Sequence, residues 1–85
     1  MPAQSLENRI YLIVAELFDV RPDALTPASS PKTIEQWDST GHLNLVLALE
    51  EEFGVKFSPD QMDQMADLET IVGMVADMKP VHVPR

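Results

Sequence analysis

Apolar residues recur at helical spacing in several separate stretches of this chain, and no stretch of any length alternates with the two-residue period of a β-strand. The spacing predicts a first amphipathic helix from about Ser5 to Phe18, which the segment Asp19-Val-Arg-Pro ends. Its apolar stripe consists of Leu6, Ile10, Ile13, Leu17 and Phe18. There is no internal repeat, so the patterns predict an all-α fold that is not a repeat array.

A second helix is predicted to begin after a cap at Asp38 or Ser39 and to run to Phe53, where Gly54 ends it. On a wheel of 100° per residue, one apolar face holds His42, Leu45, Val46, Leu49 and Phe53, with Leu43 and Leu47 along its edge. The outward face is expected to hold Thr40, Gly41, Asn44, Ala48, Glu51 and Glu52.

Cap signals mark two further helices. Ser58, followed by Pro59 and by Gln61 three positions after the serine, predicts the start of a short third helix. Asp67 caps a fourth, whose apolar stripe is Leu68, Ile71, Val72, Val75 and Met78. Two prolines predict a frayed tail from Lys79 to Arg85, with about 80–85 flexible.

The segment "RPDALTPASSPKTIEQW" between the first two helices contains three prolines and is too broken for regular structure. A loop this long in a small domain is usually functional or disordered. Leu25, Ile34 and Trp37 are expected to hold it against the core, which favours an ordered loop. The predicted fold is one domain, 1–85, built as a four-helix bundle with three main helices, a short third helix and a long first loop.

Composition restricts the function. The chain carries 14 Asp and Glu against six Lys and Arg, a formal charge of −8, which repels nucleic acid and favours protein partners with basic patches. It has no cysteine, and therefore no disulfide framework or thiolate metal site. No apolar run is long enough for a membrane span and no secretory signal is visible, so we expect a soluble cytoplasmic protein. A monomer is also expected.

Ser39 has two interpretations. Asp and Ser are favoured at helix starts because their side-chain oxygens accept orphan backbone N–H groups, so Ser39 can be simply a cap. No histidine–acid pair accompanies it in sequence and no Gly-x-Ser-x-Gly elbow surrounds it, so the chain shows no nucleophile of a hydrolase. The remaining interpretation is that Ser39 carries a covalent modification.

The wider pattern favours modification. The stretch "WDSTGHLNLVLALEEEFGVKF" follows a Pro/Ser-rich loop and precedes a short helix and a final apolar helix. Asp38-Ser39 stands at the start of an apolar and acidic helix that ends Leu-Glu-Glu-Glu-Phe-Gly-Val. With this motif and this order of segments, the chain closely resembles the acyl carrier protein family. The resemblance extends from the first helix to about Met78.

The resemblance implies a fold, a cofactor and a role. In that family the serine of the Asp-Ser motif carries 4′-phosphopantetheine, which a separate transferase attaches from coenzyme A. Ser39 is the matching residue here, and Asp38 is expected to cap the helix and to assist recognition by the transferase. The chain would then be a carrier of thioester-bound acyl groups, and not an enzyme.

The resemblance also implies a partner surface on the second helix, where acidic residues meet basic patches of acyl-loading and acyl-transferring enzymes. The matching residues here are Leu47, Glu50, Glu51, Glu52, Thr40 and Leu43. The other interpretation of the three glutamates is a solvated helix end.

Two departures from the family pattern point to a specialised carrier of a lipid, polyketide, amino-acyl or surface-polymer pathway. Thr40 stands where the usual motif has leucine, and Gly41-His42-Leu43-Asn44 lacks the early acidic residues of carriers that serve fatty acid synthesis. The alternatives are an amino-acyl or peptidyl carrier and an unmodified helical interaction module. The glycine-rich motif often seen before the serine of peptidyl carriers is absent here.

His42 lies one turn after Ser39 on the apolar face. It either contacts the prosthetic arm or is a hydrogen-bonded packing residue. A metal site is not expected, because His82 lies far away in the tail and "SPDQMDQMAD" lacks the spacing and central glycine of a calcium loop.

Overall fold

The computed structural model describes residues 3–78, with side chains from Leu6 onwards. Four α-helices follow one another: α1 (Ala3–Phe18), α2 (Ser39–Phe53), α3 (Pro59–Gln64) and α4 (Leu68–Asp77). No strand occurs in this part of the chain, which confirms the all-α fold with three main helices, a short third helix and a long first loop. The predicted tail and His82 lie outside the described residues.

The helix ends follow the predicted local signals. Ser58 and Gln61 form a complete capping box at α3, and the Asp67 carboxylate accepts the Thr70 N–H at the start of α4. Gly54 ends α2 in the left-handed conformation, with φ of 65° and ψ of 38°, which glycine adopts without strain. α1 begins two residues before the predicted Ser5.

One continuous core joins the helices and the first loop. It consists of Ile10, Val14, Ala15, Phe18, Leu25, Ile34, Trp37, Leu45, Val46, Leu49, Val55, Phe57, Met65, Leu68, Ile71 and Val75. Leu17, predicted on the buried stripe of α1, remains 38% exposed. The stripe of α4 is confirmed, with Val72 and Met78 only partly buried.

The first loop is ordered, as its apolar residues predict. Leu25, Ile34 and Trp37 are buried, and Pro22–Ala24 forms one short 3₁₀ turn where no regular structure was expected. Backbone hydrogen bonds join the loop to the start of α4, from the Leu68 N–H to the Ser29 carbonyl oxygen and from the Glu69 N–H to that of Pro27. The loop therefore lies over the bundle and carries its end to the start of α2.

In the described part of the chain, no helix combines the length and the apolar character needed to cross a bilayer.

Candidate functional site

Asp38 caps α2. Its backbone is extended, with φ of −93° and ψ of −166°, and its Oδ1 accepts the Gly41 N–H at 2.8 Å. Its own carbonyl oxygen accepts the first helical hydrogen bond, from the His42 N–H at 2.7 Å. The alternatives left open by the sequence, Asp38 or Ser39, are therefore decided in favour of Asp38.

Ser39 is the first residue of α2 and its side chain is exposed. Because Asp38 already accepts the orphan N–H, the Ser39 hydroxyl is not needed as a cap. It makes no hydrogen bond to another residue of the described chain. The hydroxyl is thus free to face solvent, beside an aspartate, at the positive end of a helix.

Next to Ser39 lies an open groove of about 550 Å³, here called the Ser39 groove. The end of the first loop, the start of α2, α3 and the two residues after α3 line it. Besides Asp38 and Ser39, the lining includes Pro31, Trp37, His42, Met62, Asp63, Met65 and Ala66. Pro31, Asp63 and Ala66 could not be placed at the site from the sequence, because nothing local in their surroundings indicates that the loop and α3 meet there.

His42 connects two walls of the Ser39 groove. Its Nδ1 accepts a hydrogen bond from Trp37 Nε1 at 2.9 Å, and its Nε2 lies 2.9 Å from the Met62 carbonyl oxygen. An indole N–H only donates and a carbonyl only accepts, so the geometry requires the neutral tautomer with its proton on Nε2. Both ring nitrogens are engaged, which supports the interpretation of His42 as a packing residue that also borders the groove.

Trp37 is the largest side chain buried beneath this site. It is 1% exposed and stacks between Phe18, at a ring-centroid distance of 5.7 Å, and His42, at 6.2 Å. The stack extends from α1 through the loop to α2. The start of α2 is therefore held by aromatic packing as well as by the Asp38 cap.

Gly41 is buried, and its predicted position on the outward face is wrong. A Cβ added there would meet the Gln36 carbonyl oxygen at 2.3 Å and a ring carbon of Phe18 at 3.0 Å. The loop backbone closes over the first turn of α2, a contact that a wheel of one helix does not represent.

The three glutamates of α2 differ in their surroundings. Glu50 is half-buried, and its Oε2 accepts the Phe57 N–H at 2.8 Å, across the turn that follows the helix. Glu52 forms an ion pair with Arg9 of α1. Glu51 is exposed and forms no ion pair within the described residues.

The other residues predicted to meet partners are all on the surface. Thr40 is exposed, and Leu43 and Leu47 are 53% and 54% exposed. They follow one another along α2 at helical spacing, whereas the wheel places Thr40 on the outward face and Leu43 and Leu47 along the edge of the apolar face. A docking role for these residues and for the glutamates stays a prediction.

Among the described residues no group of three or more His, Asp or Glu side chains is arranged to hold a metal ion.

Comparison with known proteins finds a distant similarity. No family model matches the chain. The chain is 25% identical over 75 residues to a protein named acyl carrier protein from Thermosynechococcus vestitus, and the match covers 88% of this chain and 93% of that protein. Both chains are matched over most of their length, so the similarity supports the acyl carrier protein resemblance found in the sequence. The name of that protein describes a carrier of acyl groups, not an enzyme.

Proposed function

We propose that this protein carries acyl groups as thioesters on a 4′-phosphopantetheine arm attached to the Ser39 hydroxyl. The observation that carries the proposal is that Asp38 caps α2 while the Ser39 side chain is exposed and has no structural partner among the described residues. A serine kept only for capping would use its own oxygen for that purpose. The distant similarity to an acyl carrier protein supports the same function.

The residues around Ser39 fit such a group. A phosphodiester on Ser39 would lie at the start of α2, where the N–H groups of the first helical turn have no intrahelical partner and the helix dipole favours an anion. The Ser39 groove offers an apolar wall of Met62, Met65 and Trp37 beside this point. When bound, the group supplies a terminal thiol that forms thioesters; this chain has no cysteine to compete for the cargo.

The test is the intact mass of the protein after incubation with coenzyme A and a broad-specificity phosphopantetheinyl transferase. We expect a gain of one phosphopantetheine in the parent chain and none in Ser39→Ala. Thr40→Ala removes the neighbouring exposed hydroxyl, and a gain of one phosphopantetheine in this variant would exclude Thr40 as the attachment point. Because Asp38 is the cap, Ser39→Ala should also keep its helical circular dichroism.

An unmodified parent chain that is folded would contradict the proposal. In that case, the alternative to test is an unmodified helical interaction module, which carries no phosphopantetheine arm.

We further propose that the carrier has dedicated partners rather than those of general fatty acid synthesis. The first turn of α2 contains no acidic residue, and exposed Thr40 follows Ser39 directly. A partner that recognises apolar and acidic groups immediately after the modified serine would find neither here. Loading of the modified protein by enzymes of different acyl-transfer pathways, compared under one set of conditions, would identify the pathway. Similar loading by a general fatty acid synthase would contradict this part of the proposal.

A further inference from the structure

One side-chain hydrogen bond connects α3 to another helix. The chain is anchored by hydrogen bonds before α3, at the Phe57 N–H, and after it, at the Leu68 N–H. Between these points, the hydrogen bonds of residues 58–66 stay within that stretch, with one exception among the described residues. The exception is His42, whose Nε2 lies 2.9 Å from the Met62 carbonyl oxygen. This contact therefore joins α3 directly to α2.

The apolar packing of α3 is also limited. Met65, directly after the helix, is 2% exposed, and Met62 is half-buried against the core. The other side chains of α3 are polar or exposed. A helix of six residues is too short to be stable without such contacts. A change at His42 therefore acts directly on the position of α3.

The His42 ring can hold α3 only in its neutral form. Its Nδ1 accepts the Trp37 indole N–H at 2.9 Å, and an indole nitrogen can only donate. A second proton on the ring would place an N–H on Nδ1, facing the indole N–H. Trp37 is 1% exposed and packed against Phe18, so the half-buried His42 ring is the group that must move. Its hydrogen bond to the Met62 carbonyl oxygen is lost with that movement.

Two carboxylates face the same space as His42. Asp38 ends the first loop and Asp63 belongs to α3, and both are exposed in the lining of the Ser39 groove. The lining holds no other charged side chain of the described residues, and α1 reaches this point through the uncharged Phe18 ring. The two carboxylates attract an imidazolium that turns into the groove. They therefore stabilise the displaced ring.

We propose that His42 is a pH-dependent switch: its neutral ring holds α3 beside the Ser39 groove, and its protonation releases α3 and exposes Trp37. Histidine is the side chain that takes up a proton near neutral pH, whereas carboxylates as a class remain mostly ionised down to about pH 5. The switch requires only residues of this chain. It is therefore independent of the proposed carrier function and of any group on Ser39.

The test follows Trp37, the single tryptophan of the chain, whose fluorescence reports on this site alone. Acrylamide, an uncharged quencher, is added to the unmodified full chain at pH 8 and at pH 5. We expect the quenching constant to rise about threefold at pH 5, since Trp37 is 1% exposed while α3 is in place. Amide chemical shifts followed by NMR should change most over residues 59–66 and at the Trp37 indole. An unchanged quenching constant, or shift changes spread equally over α1 and α4, would overturn the proposal.

His42→Gln is the matched control. Glutamine offers an acceptor to Trp37 and a donor to Met62, and it does not titrate in this range. Its quenching constant should stay low at both pH values, and a rise equal to that of the parent chain would refute a switch at His42. Asp63→Asn and Asp38→Asn, the second of which keeps a capping oxygen, should retain the rise. Loss of the rise in either variant would assign the response to that carboxylate instead.

Trp37→Phe separates the switch from simple titration of a histidine. It keeps an aromatic ring for stacking but removes the N–H that opposes a second proton on His42. A protonated His42 can then stay in place and donate to Met62, so the shift changes over 59–66 should fall below about half of those in the parent chain. Equal changes would show that protonation does not act through Trp37 and would contradict the proposal. The amide spectra show whether each variant is folded, and if Trp37→Phe is not, the comparison with His42→Gln decides.

Discussion

Gly41→Ala provides the sharpest test of the packing at the start of α2. In an open helix position this change stabilises by about 1 kcal/mol, because alanine has the higher helix propensity. Here the new Cβ would lie 2.3 Å from the Gln36 carbonyl oxygen, about 1 Å inside a normal C···O contact. The obstructing atom belongs to the backbone. It is held in place because Gln36 directly precedes Trp37, whose side chain is buried and only 1% exposed.

The magnitude follows from the two opposing terms. Overpacking that forces backbone to move costs up to about 3 kcal/mol, against a propensity gain of about 1, so Gly41→Ala should destabilise by about 2 kcal/mol. Gly73→Ala is the matched control, since its added Cβ meets nothing within 4 Å, and it should stabilise by about 1 kcal/mol. The two variants make the same chemical change with opposite expected signs.

Urea denaturation followed by circular dichroism measures both variants, and the free energies of unfolding should differ by about 3 kcal/mol. In thermal melts each kcal/mol corresponds to about 4–8 °C for a domain of this size. A Gly41→Ala protein as stable as the parent chain would show that the loop does not press on the helix, and would refute the reasoning.

Three further predictions concern side chains at the helix starts. Asp38→Ala should destabilise by about 1 kcal/mol and Ser39→Ala by less than about 0.5, measured by urea denaturation; equal losses would show that both oxygens cap the helix. His42→Ala should cost about 2 kcal/mol, because it leaves the Trp37 indole N–H unpaired, while the rate of Ser39 modification stays unchanged; a slower modification would instead assign His42 to the arm. Hydrogen bonds from Thr70, first from its side chain and second from its backbone N–H, lower the pKa of Asp67. The charged carboxylate therefore stabilises the folded protein above the unfolded-state pKa of about 3.9. This stabilisation is lost as the pH falls through the lower folded-state pKa. Stability curves of the parent chain and Asp67→Asn should therefore converge in acid and separate above about pH 5, and a constant difference would contradict the assignment.

The helices and their ends could be predicted from the sequence because their signals are local. The Ser58 capping box, the Asp67 cap and the left-handed Gly54 each involve residues within one turn of one another. The apolar periodicity is likewise a property of one helix at a time. Ser39 is a candidate for modification because of the Asp38-Ser39 motif together with the order of predicted helices around it, and both can be recognised along the sequence.

Contacts between distant segments could not be predicted in this way. The wheel placed Gly41 outward because it contains no information about the loop that covers it. By sequence, Glu50 is grouped with Glu51 and Glu52 at the end of α2, as a partner surface or a solvated helix end, although its carboxylate accepts the Phe57 N–H after the chain has turned. The pair between Arg9 and Glu52 joins residues 43 apart in sequence.

The sequence alone determined which segments become helices, where they begin and end, and which serine is a candidate for modification. Caps, propensities and apolar spacing involve residues within a few positions of one another, so they can be recognised without knowing how the chain packs. The structure showed which of the two local cap candidates, Asp38 or Ser39, accepts the Gly41 N–H. Only the tertiary structure decided that His42 bridges Trp37 and Met62 and that an acidic groove opens between α1 and α2. These features depend on the mutual position of the loop and the helices, which buried side chains from the whole chain set together.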